Sequence, residues 1–289
     1  MEIVKDIQSA RERINNIKKE EKRIGFVPTM GFLHKGHLSC VEISKKYSDY
    51  QVMSIFVNPI QFNNKNDFDT YPKDIMKDFE LAEKAGIDLI FLPDDSEMYK
   101  NHLTYVNVET LSDHLCGAVR PGHFKGVFTV VSKLFNILLP DVSVFGQKDI
   151  QQAVSIEKMV LDLNFPIKII IAPTVREDDG IAMSSRNKHL DQEQREKALS
   201  IIKSLRRAEE IIAQGSIKSK DIIIKMNEIL RKGNPDKIDY ISIVDYNNLY
   251  PVDRLTEKNV IAVAAFFGET RLIDNMIIEK NNGKFKCIY

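Results

Sequence analysis

Two histidines three residues apart, His34 and His37, bracket Lys35 and Gly36 in the run FVPTMGFLHKGHLS from Phe26 to Ser39. An imidazole N–H can hold a phosphate oxygen and stabilise charge that develops at phosphorus. Around them the order of residue types is a short apolar run (Ile24, Gly25, Phe26, Val27), Pro28, a turn at Thr29, Met30 and Gly31, and then a helix start. A strand, turn and helix N-terminus in that order offers phosphate free backbone N–H groups and the positive end of a helix dipole. Gly36 would let a phosphate chain lie close to the backbone. The same pattern is also that of a well-capped α/β connection, and the motif alone leaves both readings open.

Further groups with chemical potential stand at the ends of other apolar runs. Gln51 to Val57 ends in Asn58, Pro59, Ile60, Gln61 and Phe62, followed by the polar stretch NNKNDFDTYP. A long connection after the carboxyl end of a strand is where open parallel sheets bind ligands, although Asn58 could simply end the strand and Gln61 could be solvated. CGAVRPGHFKG places Arg120, His123 and Lys125 in a glycine-rich loop suited to an anion or to water. Asp141 to Phe145 ends in Gly146, Gln147, Lys148 and Asp149, with Gln152 one turn into the next helix. Lys148 at a helix start is a phosphate candidate, and Asp149 can cap that helix or hold a hydroxyl such as a ribose. After Ile167 to Pro173 comes a charged, mobile-looking loop whose Ser184, Ser185 and Arg186 can bond several phosphate oxygens. Those residues could equally form a helix N-cap.

The elements that must position these groups follow from periodicity. Short apolar strands alternate with helices up to about residue 173, which predicts parallel βαβ units. Residues 1–22 are expected as one amphipathic surface helix, and Thr104 to Val108 as an extended piece. Beyond that, two charged amphipathic helices (191–214 and 216–232) precede three strand-like runs, which predicts a smaller α+β unit. The expected division is residues 1–175 and 176–289.

Composition narrows the field. The chain has 289 residues, 43% hydrophobic and 28% charged, with Lys+Arg and Asp+Glu both at 41 and a formal net charge of +0. Nothing in that balance favours a nucleic acid or a membrane surface as partner. The N-terminus lacks the apolar core of a signal peptide, no run reaches transmembrane length, and three scattered cysteines suit neither a disulfide framework nor a zinc site. A cytoplasmic protein is expected.

Taken together, FVPTMGFLHKGH, FVNPIQF, RPGHFKGV with TVVSKLFNI, FGQKDIQQ and PTVREDDGIAMSSRN resemble the pantothenate synthetase (pantoate–β-alanine ligase) family along most of the chain. DYISIVD and FFGETRLIDN in the second unit are similar to it as well. Gln147 stands where a glutamate is common and Ile181 where a leucine is common, and neither change removes an evident catalytic group.

The resemblance implies a Rossmann-like nucleotidyltransferase domain and a two-step ligase reaction through pantoyl adenylate. Its substrates would be ATP, (R)-pantoate and β-alanine, with magnesium carried by the ATP and no metal cage in the protein. It also implies a homodimer. Met30, Gly31, Phe32, Leu33, His34, Lys35, Gly36 and His37 would bind ATP, with His34 and His37 stabilising the transition state and Lys148 neutralising phosphate. Ser184, Ser185 and Arg186 would close over the β- and γ-phosphates, while Gly146, Gln147, Asp149, Val175 and Met183 complete the ATP set. Gln61 and Gln152 would hold pantoate, and Asn58, Arg120 and His123 are secondary candidates near the substrates. Asp78 is at most an outer contact to the metal. A nucleotidyltransferase that stops after nucleotide transfer would not use FVNPIQF or the second glutamine of DIQQ. A non-catalytic nucleotide-binding protein would not need the intact histidine, lysine and Ser-Ser-Arg set.

Overall fold

The computed structural model describes residues 1–63 and 65–289, the side chains of Asn66 and Asp67 aside; Asn64, inside the polar connection expected after Val57, lies outside the described residues. The chain divides into two units, residues 1–146 with 155–172, and residues 147–154 with 173–289.

The first unit is built on six parallel strands. In chain order they are β1 (Glu2–Val4), β2 (Ile24–Thr29), β3 (Tyr50–Ile55), β4 (Leu89–Phe91), β5 (Val142–Gly146) and β6 (Lys168–Ala172). Their spatial order is β1-β4-β3-β2-β5-β6. Residues of β2 and β3 are buried almost without interruption, which is why these strands read as continuous apolar runs rather than alternating ones. The intervening helices are α1 (Ile7–Lys19), α2 (Lys35–Ser44), α3 (Lys65–Asp69), α4 (Ile75–Lys84), α5 (Asp95–Tyr99), α6 (Leu115–Val119), α7 (His123–Leu138) and α8 (Ile150–Asp162). α7 is buried on nearly every side, and its Phe135 meets Phe26 of β2 edge-on with ring centroids 6.3 Å apart. From β2 the chain builds β3 and β4 on one side, then returns to the other side of β2 for β5. Connections therefore diverge from the adjacent carboxyl ends of β2 and β5, the point at which open α/β sheets leave a crevice for ligands.

One sequence expectation needs correction here. Ile3 and Val4 belong to β1, paired in parallel with β4, and not to the first helix. That helix begins only after Asp6, whose Oδ1 accepts the Ser9 N–H at 2.7 Å as an N-cap. Thr104 to Val108 joins no sheet. The Val106 N–H donates instead to the Thr129 hydroxyl at 3.0 Å.

In the second unit, α9 (Gln192–Ala213) and α10 (Ser219–Lys232) precede β7 (Lys237–Asp245), β8 (Lys258–Phe267), β9 (Thr270–Asn281) and β10 (Lys284–Ile288). The four strands form an antiparallel sheet in the order β10-β9-β8-β7. Leu205, Met226, Leu230, Ile261, Val263 and Met276 close its core. The parallel α/β sheet followed by a smaller α+β unit is thus the fold the chain forms, with β10 as a fourth strand beyond the three anticipated. No helix among the described residues is long and apolar enough to cross a membrane.

Candidate active site

At the end of β2 the chain turns through Met30 and Gly31, and Phe32 follows with φ at 52°, in the left-handed region that a bulky residue seldom adopts. The support for this turn comes from α4. Asp78, only 2% exposed, accepts the Phe32 N–H at 2.8 Å through Oδ2 and the Leu33 N–H at 2.7 Å through Oδ1. A carboxylate accepting two backbone N–H groups gives charge-assisted bonds, about twice as strong as neutral ones. The sequence suggests for Asp78 at most an outer contact to a metal. Its job in the structure is to hold the turn from 45 residues away.

The two histidines cap α2 reciprocally. His34 is the N-cap, and its Nδ1 accepts the Gly36 N–H at 3.1 Å, while His37 Nδ1 accepts the His34 N–H at 3.3 Å. The ring centroids are 4.0 Å apart. Both Nδ1 atoms are acceptors, so each neutral ring carries its proton on Nε2. Gly36 is required by the ring beside it, because a Cβ at 36 would come within 2.9 Å of His34 Cε1. The anion site anticipated from free backbone N–H groups is therefore different in kind. The N–H groups of Phe32, Leu33, His34 and Gly36 are bound within the protein by Asp78 and the two imidazoles.

After β3, Asn58 and the turn Pro59–Gln61 lie next to this histidine turn. Gln61 Nε2 donates to Met30 Sδ at 3.0 Å, and Asn58 Nδ2 donates to Gln61 Oε1 at 2.9 Å. His123, at the start of α7, places Nδ1 2.8 Å from the Gln61 carbonyl oxygen. Arg120 stands at the end of α6, and its carbonyl accepts the His123 N–H at 3.1 Å. The structure thus gathers Met30 to His37, Asn58, Gln61 and His123, with Arg120 one turn away from His123. A cavity of about 640 Å³, a size typical of small-molecule sites, runs from Met30, Gly31 and Asp78 along Phe56 to Lys73 and Asp94. Gly146 ends β5 at the edge of the switch point.

The remaining candidates belong to the second unit. Gln147 is 2% exposed, and its Nε2 donates to the Ile288 carbonyl at 2.9 Å. Asn275 of β9 in turn donates to the Gln147 and Lys148 carbonyls at 2.8 and 3.0 Å. The 3-10 turn that carries Lys148 is therefore fixed from β9 and β10, with Lys148 Nζ 3.6 Å from Asp149 Oδ1. Gln152 follows, half-buried, in the first turn of α8.

Residues 174–187 form a pinned turn. Arg176 makes a two-pronged ion pair with Asp274, at 2.6 and 3.1 Å, and also donates to the Gly180 carbonyl. Arg195 of α9 pairs with Glu177 and Asp179. Met183 N–H donates to the Val175 carbonyl at 2.9 Å, so these two candidates are brought together. Ser184 caps a 3-10 turn, accepting the Arg186 N–H at 3.3 Å, and Ser185 and Arg186 are half-buried beside it. The N-cap reading and the phosphate reading of these serines are compatible.

Comparison with known proteins gives a consistent picture. Residues 2–277 match the model of the pantoate-beta-alanine ligase family. A pantothenate synthetase from Thermoanaerobacter pseudethanolicus is 52% identical over 97% of this chain and 100% of the relative, and one from Sulfurihydrogenibium sp. is 50% identical over 96% and 99%. The crystal structure of the pantothenate synthetase from Thermus thermophilus superposes with a TM-score of 0.90 at 40% identity, covering 95% of this chain and 98% of that one. A pantoate-beta-alanine ligase from Francisella tularensis, complexed with beta-gamma ATP and beta-alanine, matches with a TM-score of 0.78 at 35% identity, over 95% and 97% of the two chains.

Proposed function

The chain belongs to the pantoate–β-alanine ligase family, and from that premise we propose how its own residues carry out the ATP-dependent condensation of (R)-pantoate with β-alanine. In the first step a pantoate carboxylate oxygen attacks the α-phosphorus of ATP, the bond to the bridging oxygen breaks, and pyrophosphate leaves. In the second, the free amine of β-alanine attacks the acyl carbon of pantoyl adenylate, loses a proton, and expels AMP to give pantothenate. An anion attacking a polyphosphate meets repulsion, so the site must neutralise charge and align the reactants.

The observation that carries this reading is the reciprocal capping of His34 and His37. It sets the proton of both neutral rings on Nε2. The two donors serve the phosphates and the charge developing at phosphorus, and no proton transfer from His37 is required. Lys148 neutralises phosphate from its 3-10 turn. Ser184, Ser185 and Arg186, at the start of the α+β unit, take the β- and γ-phosphates, while Val175 and Met183 join Gly146 and Asp149 around adenosine. Gln61 and Gln152 hold pantoate, whose two hydroxyls and carboxylate suit amides that donate and accept. Arg120 and His123 support that end of the site. Magnesium would come bound to the ATP phosphates and would supply neutralisation of their charge.

A cytoplasmic homodimer is the form in which we place the enzyme. Requirement for ATP supports the compartment and the family resemblance supports the dimer, which light scattering on the purified chain will test. The reaction itself is tested by product analysis with ATP, magnesium and (R)-pantoate, with and without β-alanine. AMP, pyrophosphate and pantothenate appear together in the complete mixture, and pantoate-dependent pyrophosphate exchange occurs without β-alanine. ADP and phosphate as products would overturn the adenylate route.

A further inference from the structure

Asn58 is 1% exposed, and its carboxamide bonds to three partners inside the first unit. One of these partners has no choice of role. The carbonyl oxygen of Gly126 on α7, 3.1 Å away, can only accept, so the end of the Asn58 amide facing it is the NH₂. The opposite end is then Oδ1, and the Tyr99 hydroxyl 2.6 Å from it must donate. The second hydrogen of the same NH₂ meets Gln61 Oε1 at 2.9 Å. Gln61 therefore turns its oxygen inward and its NH₂ outward, where Nε2 lies 3.0 Å from Met30 Sδ. A thioether is a weak acceptor, so this NH₂ keeps most of its donor capacity for a ligand oxygen.

We infer that Tyr99 is a positioning residue for pantoate, holding Asn58 so that Gln61 meets the substrate as a hydrogen-bond donor. The inference rests on the reading that Gln61 binds pantoate. Tyr99 itself sits at the end of α5, 41 residues from Asn58 in sequence, with its ring 6.0 Å from Phe56 and 5.0 Å from His102 between centroids. Burial pushes its hydroxyl well above the ordinary tyrosine range, which keeps it a donor at any pH at which the enzyme would work. Gly126 is part of the same device. A side chain there would run into the Ile60 carbonyl and the backbone of Gln61, so only glycine lets α7 bring its carbonyl this close to Asn58.

Tyr99→Phe removes the hydroxyl and keeps the ring packing. A buried acceptor on Asn58 then loses its donor, and kcat/KM for pantoate is expected to fall roughly tenfold, with KM for ATP unchanged and the melting temperature lowered by a few degrees. Asn58→Asp goes further. A carboxylate cannot donate to the Gly126 carbonyl and draws the NH₂ of Gln61 inward, so the fall for pantoate is expected to reach about 100-fold. The decisive readout is the background in which Tyr99→Phe is made. In Gln61→Ala enzyme it should lower kcat/KM for pantoate no further, because its route to the substrate is gone. Equal losses in both backgrounds, or an unchanged kcat/KM for pantoate in the single variant, would overturn the inference while leaving the ligase reading intact. A wild-type enzyme that makes pantothenate while Gln61→Ala keeps full pantoate efficiency would instead overturn the pocket assignment from which it starts.

Discussion

The turn carrying His34 and His37 and the turn carrying Ser184, Ser185 and Arg186 each follow a strand of the parallel sheet in the chain, yet they are held by opposite means. In the first, one buried carboxylate and two neutral rings accept backbone N–H groups, the rings taking those of His34 and Gly36 within four residues. In the second, guanidinium groups reach across long stretches of sequence: Arg176 to Asp274, 98 residues on, and Arg195 back to Glu177 and Asp179. The first arrangement fixes direction and tautomer, which a group acting on developing charge requires. The second is made of charge pairs, one of them the buried Arg176–Asp274 pair and the others, from Arg195, open enough to solvent for salt to weaken them. Orientation is invested in the histidine turn, and paired charge in the serine turn.

The contrast can be broken most forcefully at the histidines. His34→Ala or His37→Ala is expected to lower kcat by about 10²–10³ with the circular dichroism spectrum retained; near-normal turnover would remove the rings from the chemistry. Next comes the support behind them. Asp78→Ala strips the acceptors from two N–H groups in a strained turn, and we expect about 3 kcal/mol of stability lost in denaturant melts together with at least a tenfold fall in kcat. A variant that melts earlier but turns over normally would show that the turn needs no anchor.

In the serine turn, Arg176→Ala leaves Asp274, 3% exposed, without its partner. About 2 kcal/mol is expected after allowing for the water that reaches the guanidinium. Hydrogen exchange should quicken across residues 175–187 and stay unchanged across 30–37. Equal loss of protection in both turns would erase the distinction drawn between them.

The smallest effect is confined to alkaline solution. Cys40, on α2 behind the histidines, donates its thiol hydrogen to the Gly36 carbonyl at 3.4 Å, and burial pushes the thiol up from 9.0 to about 11. A folded value raised above the unfolded one means that the thiol's contribution is intact below about pH 9 and is lost as pH climbs through 11. Relative to Cys40→Ala, the wild type should lose about 2 kcal/mol over that interval and nothing near pH 7. A constant difference between the two across that range would show the thiol to be more accessible than its burial implies.

Much of this was legible in the sequence wherever the signal is local. The histidine turn, the apolar strands and the Gly146, Gln147, Lys148 run show themselves by residue type and spacing within a dozen positions, and Asp191 announces α9 through its capping box with Gln194. What stayed hidden depends on partners far along the chain. Asp78 looks like any acid on an amphipathic helix until the backbone of Phe32 and Leu33 is laid against it. The charged run after Thr174 reads as mobile because its charges are visible and their partners Asp274 and Arg195 are not. β1 is 3 residues long, too short for a period of two to outweigh the helical spacing of Ile3, Val4 and Ile7. Gln147 carries a similar lesson, since its side chain is engaged with the Ile288 carbonyl, a relation 141 positions away.

The passage of the chain between its two units, at 146/147, 154/155 and 172/173, limits how the protein can be recombined. A hybrid enzyme assembled by joining one relative's residues before 173 to another's after it would mismatch the short excursion 147–154 with the sheet that anchors it. Asn275 would then face a foreign turn in place of the Gln147 and Lys148 carbonyls it binds here. Shuffling among relatives therefore has two inherited blocks to respect, neither of them contiguous in the gene. The eight residues around Lys148 must travel with the C-terminal block, although they are encoded in the midst of the other.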